Sequence, residues 1–179
     1  MVNKITILLI TVMWSFSGFS QQQPTSNKGK NLETVLKFAG CINYPEDSQP
    51  GDLIIFIADD DEERFNSAAA YLENRDFKNR KIQTILLKED TEITGQSIVF
   101  ITKHPGVDIG NLLEKTSGKH VMTITTDMSL LEKGCMFYIN ALEGEELEYL
   151  FNKRAVMESE LIMNSLLFDP AHKWKPTEY

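Results

Sequence analysis

Histidine, cysteine and tryptophan are scarce in this chain, at three, two and two of 179 residues. That scarcity excludes chemistry before any fold is considered. None of His104, His120 and His172 has a neighbour at metal-ligand spacing, so a zinc site of the usual kind has nothing to be built from. No Gly-x-Ser-x-Gly elbow occurs, and Ser129, Ser159 and Ser165 fall on helical patterns beside core residues, which argues against a serine nucleophile. Basic residues are outnumbered, 18 against 26 acidic, for a formal charge of −8. A surface that acidic repels nucleic acid and anionic lipid headgroups. No internal repeat is visible. The expectation is a protein without catalytic residues, metal or cofactor.

The first twenty residues hold one basic side chain, Lys4, then an almost wholly apolar stretch from Ile5 to Phe16, then Ser17-Gly18-Phe19-Ser20. A short positive region, an apolar core too short to span a bilayer comfortably, and small residues at Gly18 and Ser20 read as a secretory signal peptide of residues 1–20, with a retained single-span anchor as the alternative. No cysteine follows the cut, so the mature chain is expected to be exported, soluble and without a lipid anchor. Losing Lys4 makes its charge one unit more negative. Residues 21–30, QQQPTSNKGK, read as a flexible leader. Residues 31–169 suffice for one domain with its own core, and residues 170–179 form a C-terminal tail.

Leu32, Val35, Leu36, Ala39 and Ile42 recur at helical spacing, ended by Pro45. Asp52 to Ile57 is a continuous apolar run of the kind found in strands buried on both faces. A helix from Glu63 to Asn74 follows, with Phe65, Ala68, Ala69 and Leu72 inward. Strands at 82–87 and 97–102, a helix over 108–115 and a strand over 121–125 continue the alternation. Strands alternating with helices predict a three-layer α/β sandwich with a mixed, largely parallel sheet.

Residues 120–168 close that sheet. Thr126-Asp127 ends the strand and begins a helical step that Gly134 breaks. Met136 to Ile139 opens a strand that Glu143-Gly144-Glu145 folds back into Leu147 to Phe151, an antiparallel hairpin. Asn152 then stands where a helix N-cap belongs. Val156, Met157, Leu161, Met163, Leu166 and Leu167 form an apolar stripe behind it, up to Pro170. This order of Thr-x-x-Thr-Thr-Asp, Lys-Gly-Cys, Met-Phe-Tyr-Ile-Asn, Tyr-Leu-Phe-Asn and Leu-Ile-Met-Asn-Ser-Leu-Leu resembles the C-terminal half of the YfiR-like family. Cys135 stands for the family's second glycine, Leu150 for its isoleucine, and Tyr44 before Pro45 for its commoner tryptophan. The resemblance runs from about residue 31 to 168.

What the resemblance implies is a periplasmic regulator that restrains a membrane-bound signalling enzyme, typically a diguanylate cyclase making cyclic di-GMP, through that enzyme's periplasmic domain. A periplasmic small-molecule sensor, with a pocket at the carboxyl ends of the strands and a histidine kinase or transporter as listener, is the alternative. A homodimer stays open, and no partner-binding residue is carried over.

Four features remain. Cys41 and Cys135 are compatible with a disulfide in an oxidising compartment, or with two separately buried thiols. The acidic run Asp59 to Glu63 lacks the glycines of a dinucleotide turn. A phosphoacceptor receiver would need an aspartate after the third strand, where Thr102-Lys103-His104-Pro105 stands. The run is read as acids favouring a helix N-terminus. Met122, Met128, Met136, Met157 and Met163 are read as core filler rather than a binding face. Trp174 and Tyr179 in the tail are either disordered or docked on a neighbour.

Overall fold

Each continuous apolar run becomes a strand buried on both sides, and strand alternation sorts the side chains into two separate cores. The computed structural model describes residues 27–43, 51–140, 148–168 and 175–178. Residues 1–20, most of the 21–30 segment, the hairpin turn at Glu143-Gly144-Glu145, Pro170, His172, Trp174 and Tyr179 lie outside the described residues.

In chain order the elements are α1 (Asn27–Gly40), β1 (Ile42–Asn43), β2 (Leu53–Ala58), α2 (Glu62–Glu73), β3 (Ile82–Leu86), β4 (Ile98–Ile101), α3 (Ile109–Thr116), β5 (Met122–Thr125), α4 (Ser129–Glu132), β6 (Phe137–Asn140), β7 (Glu148–Phe151), α5 (Lys153–Glu158) and β8 (Ile162–Met163). A 3-10 turn, Ser165–Phe168, and β9 (Lys175–Glu178) follow. The main sheet has the order β3-β2-β4-β5-β6-β7-β9. All neighbours are parallel except the hairpin β6-β7. This is the expected mixed, largely parallel sheet with its antiparallel closure.

Leu53, Ile55 and Ile57 of β2, Ile98 and Phe100 of β4, Met122 and Ile124 of β5, and Phe137 and Ile139 of β6 face α1 and α2. Phe56, Ala58, Val99 and Ile101 point the other way, onto Ile109 and Leu112 of α3 and Leu130 of α4. Three layers result. At the centre of the first core Phe38 meets Phe137 and Tyr149 edge-on, with ring centroids 4.9 and 5.0 Å away, a geometry that adds to the burial of the rings themselves.

The two cysteines belong to opposite sides of this sheet. Cys135 is fully buried with α3 and α4, while Cys41 is half-buried against the α1 core. Both are free, and the disulfide left open by the sequence is not formed. A bond would have to pass through the sheet, whereas bonded cysteines need Cα atoms within about 7 Å of each other. Burial pushes the Cys135 thiol up to about 12. It also raises Cys41, against a smaller opposing effect of the Lys78 charge.

The ends of the domain depart from the sequence reading. Helix α1 begins at Asn27, inside the segment read as leader, and stops at Gly40, so Ile42 joins a strand instead of the helical stripe. The C-terminal helix is a single short piece. Asn152 caps it as expected, its Oδ1 accepting from the Ala155 N–H at 3.0 Å, but α5 ends at Glu158. Glu160 takes a positive φ of 55°, which breaks the helix. Ile162 and Met163 then pair with Asn43 and Ile42. Leu167 is fully buried in the first core from the 3-10 turn. An apolar stripe can be satisfied by several backbone shapes, and here pairing with β1 wins over helix propensity.

Candidate functional site

Strand order decides where a site can form. From β2 the chain steps outward to β3, then returns past β2 to β4 and continues away through β5 and β6. The strand order therefore reverses between β2 and β4. Open α/β sheets hold their ligands outside the carboxyl ends of the strands at such a reversal, because connecting loops there diverge and leave a crevice. This chain has a cleft of about 750 Å³ at that place. Its floor is Ile57, Phe100 and Leu32, with Ala68 and Tyr71 of α2 along one wall. Asp59, Asp61 and Arg64 lie beside Thr102, Lys103, His104 and Thr126 at its mouth.

The acidic run is organised around Arg64. Asp61 is the N-cap of α2, its Oδ1 accepting from the amides of Glu63 at 2.9 Å and Arg64 at 3.0 Å. Asp59 is 8 % exposed. The Arg64 Nε donates to both of its carboxylate oxygens, at 2.9 and 3.2 Å, and Nη2 to Oδ1 at 2.7 Å. The same guanidinium bonds Asp60 through Nη2 and pairs with Asp61 through Nη1 at 3.0 Å. Burial alone would raise the Asp59 carboxyl. Hydrogen bonds from Arg64, the Asp61 amide and Thr102, with the Arg64 charge, outweigh it and hold Asp59 below the ordinary carboxylate value. The expectation of acids favouring a helix N-terminus thus holds for Asp61. For Asp59 and Asp60, pairing with the shared Arg64 guanidinium is the larger fact. Acids three to five residues ahead of an arginine across a helix start are the signal that could have exposed it.

The loops after β2 and β4 are fastened to each other. The Thr102 amide and hydroxyl both donate to the Ala58 carbonyl, at 3.1 and 3.0 Å, and the Asp60 amide donates to the His104 carbonyl at 2.8 Å. Gly106 has φ +68°, and a Cβ there would lie 3.1 Å from the Asp60 Cα, so only glycine lets the second loop close on the first. The mouth is built rigidly by backbone bonds, and Lys103 and His104 project from it into solvent.

No cluster of three or more histidine, cysteine or acidic side chains able to hold a metal occurs among the described residues. His104 stands at the cleft and His120 takes a positive φ of 53° ahead of β5. Of the serines, Ser129 donates its hydroxyl to Asp127 at α4, and Ser159 donates to the Val156 carbonyl at the end of α5. Neither meets a histidine there. The methionines divide: Met122 and Met136 are buried and Met163 packs at the edge of the first core, whereas Met128 and Met157 are exposed, Met157 by 71 %. Ile162 beside α5 is 57 % exposed. No helix among the described residues is long and apolar enough to cross a membrane.

The family model described as YfiR/HmsC-like matches residues 31–172. No curated protein matches the chain.

Proposed function

This chain belongs to the YfiR/HmsC-like family, and from that premise we propose that it is an exported periplasmic regulator which binds the periplasmic domain of an inner-membrane signalling protein and restrains it. The target class is a diguanylate cyclase. The observation that carries the reading is the family match over most of the domain. Three features support it: the signal-peptide pattern of residues 1–20, the acidic surface charge, and polar side chains at the cleft that are committed to one another.

A binder silences an enzyme only by preferring its inactive conformation. Moving a population from 1:99 to 99:1 takes about 5.5 kcal/mol of differential affinity. Such a difference is within reach of an interface of ordinary size and needs no chemistry from the regulator.

The test is a cyclase assay in membranes that carry a diguanylate cyclase with a periplasmic domain from the same cell. Adding the purified mature protein should lower cyclic di-GMP synthesis in proportion to the complex formed, and deleting it from cells should raise it. Unchanged synthesis in both experiments would remove the proposal. The cleft at the strand reversal favours a second reading, a periplasmic small-molecule sensor working with a histidine kinase or transporter. A thermal-shift survey with amino acids, nucleotides and vitamins would raise the melting temperature under that reading, and a flat response across the survey rejects it.

A further inference from the structure

The cleft beyond β2 and β4 has an apolar floor, Ile57, Phe100 and Leu32, and a mouth whose polar groups are spent unequally. Arg64 gives its guanidinium to Asp59, Asp60 and Asp61 through Nε and both Nη atoms. Asp61 takes the amides of Glu63 and Arg64, donors that a helix start otherwise turns toward an anion. The groups that would hold a negative head are therefore already engaged. Lys103, the other cation at the cleft, is exposed on the loop after β4. On the acceptor side, the Glu63 carboxylate has no hydrogen-bond or ion-pair partner among the described residues. Asp59, Asp60, Asp61 and Glu63 against Arg64 and Lys103, with histidine counted neutral, leave the mouth two units negative.

We infer that this cleft takes a small organic cation, an amine with an alkyl or aryl body whose ammonium head meets Glu63 at the mouth. The inference rests on the small-molecule reading of the cleft and names the ligand class for it. A volume of about 750 Å³ falls within the range of about 300–1,000 Å³ that such sites occupy. An apolar body gains by leaving water against Ile57, Phe100 and Leu32, whereas a bare metal ion gains nothing from that floor. The sign of the head follows from the mouth. A carboxylate or phosphate would approach a surplus of its own charge, with Arg64 engaged by three aspartates and the start of α2 capped by a fourth interaction of Asp61. An ammonium is drawn by the same surplus. It leaves the buried Asp59–Arg64 pair undisturbed, because Glu63 is the acceptor that stands ready.

Matched probes on the full mature chain test the sign of the head group. 2-Phenylethylamine, 2-phenylethanol and 3-phenylpropanoate are titrated by calorimetry, while NMR shifts of the Ala68, Tyr71 and Thr126 amides report the place of binding. Hexylamine, hexanol and hexanoate repeat the series with an unbranched body. At least one series should saturate at those amides, with the amine about two- to fivefold tighter than the alcohol, the worth of an exposed ion pair, and the carboxylate weakest. Glu63→Gln should bring the amine down to the alcohol, and Lys103→Gln should tighten the amine up to about twofold. A carboxylate that binds at those amides as tightly as the amine overturns the inference and leaves the cleft a ligand site. An amine advantage that survives Glu63→Gln also overturns it. So does the absence of any shift at those amides with all six probes, in which case a melting-temperature rise with another class of compound still upholds the sensor reading.

Discussion

The two edges of the sheet are finished by different means. At β3 the guard is a side chain from nearby in sequence: the Glu73 carboxylate, in the last turn of α2, accepts from the Thr84 amide at 3.0 Å and from its hydroxyl. Arg80 ties the same corner to the carbonyls of Gly51 and Asp52. At β7 the cover is main chain, delivered from the far end of the sequence. A carboxylate cap blocks the addition of a strand because it occupies a donor that a newcomer would need. A strand cover leaves the edge in the form another strand recognises. One edge has a donor taken by a side chain and the other is covered by a strand.

The largest way to break this comparison is to loosen what holds β7. Phe38→Ala removes a fully buried ring that contacts both Phe137 and Tyr149, and should cost about 3–5 kcal/mol in urea unfolding. A loss under 1 kcal/mol would mean that β7 does not depend on that core. Asn152→Ala is the next largest. It removes the cap of α5 and the side-chain bond to the Leu131 carbonyl, and should cost about 0.5–2 kcal/mol by the same measurement.

Glu73→Ala opens the guarded edge. It should cost about 1 kcal/mol and speed hydrogen exchange at the Thr84 amide, while exchange on β7 stays unchanged. Faster exchange at both edges would erase the distinction. Two pH effects sharpen it least. Asp59 is held low in the native state, so its stabilisation is present above the ordinary carboxylate value of about 3.9 and lost as pH falls through the native value. Arg64→Ala should raise the Asp59 titration seen by carbon-detected NMR and lower the thermal midpoint. Cys135 has the opposite sense. Below about 8.5 both states keep the proton, and above it only the unfolded chain releases it, so stability declines toward a pH of about 12. Thiol titration of unfolded, unreduced protein should count two groups, and native protein should react at Cys41 far faster than at Cys135.

Most of the layer structure was legible because it is written locally. The runs at Leu53 to Ala58 and Ile98 to Ile101, the Asn152 cap and the Gly134 break each follow from a few neighbouring residues. The C-terminal stripe misled because Met163 and Leu167, four residues apart as in a helix, serve a strand and a 3-10 turn. The partner of that strand, β1, lies about 120 residues earlier, and nothing in the stripe names it. The cleft was legible only as a class of place, the carboxyl ends of the strands. Fixing it between β2 and β4 needs the strand order, and the commitment of Asp59 to Arg64 needs the turn that brings them together.

That guanidinium has a further consequence. Three neighbouring carboxylates without a counter-ion would repel one another and splay the loop that carries them. Here the counter-ion is covalently attached, one helical turn away. The corner of the molecule between its second and fourth strands carries part of its neutralising charge with it, in a pair whose Asp59 end is buried and so is screened less by salt than the exposed Asp60 and Asp61 ends.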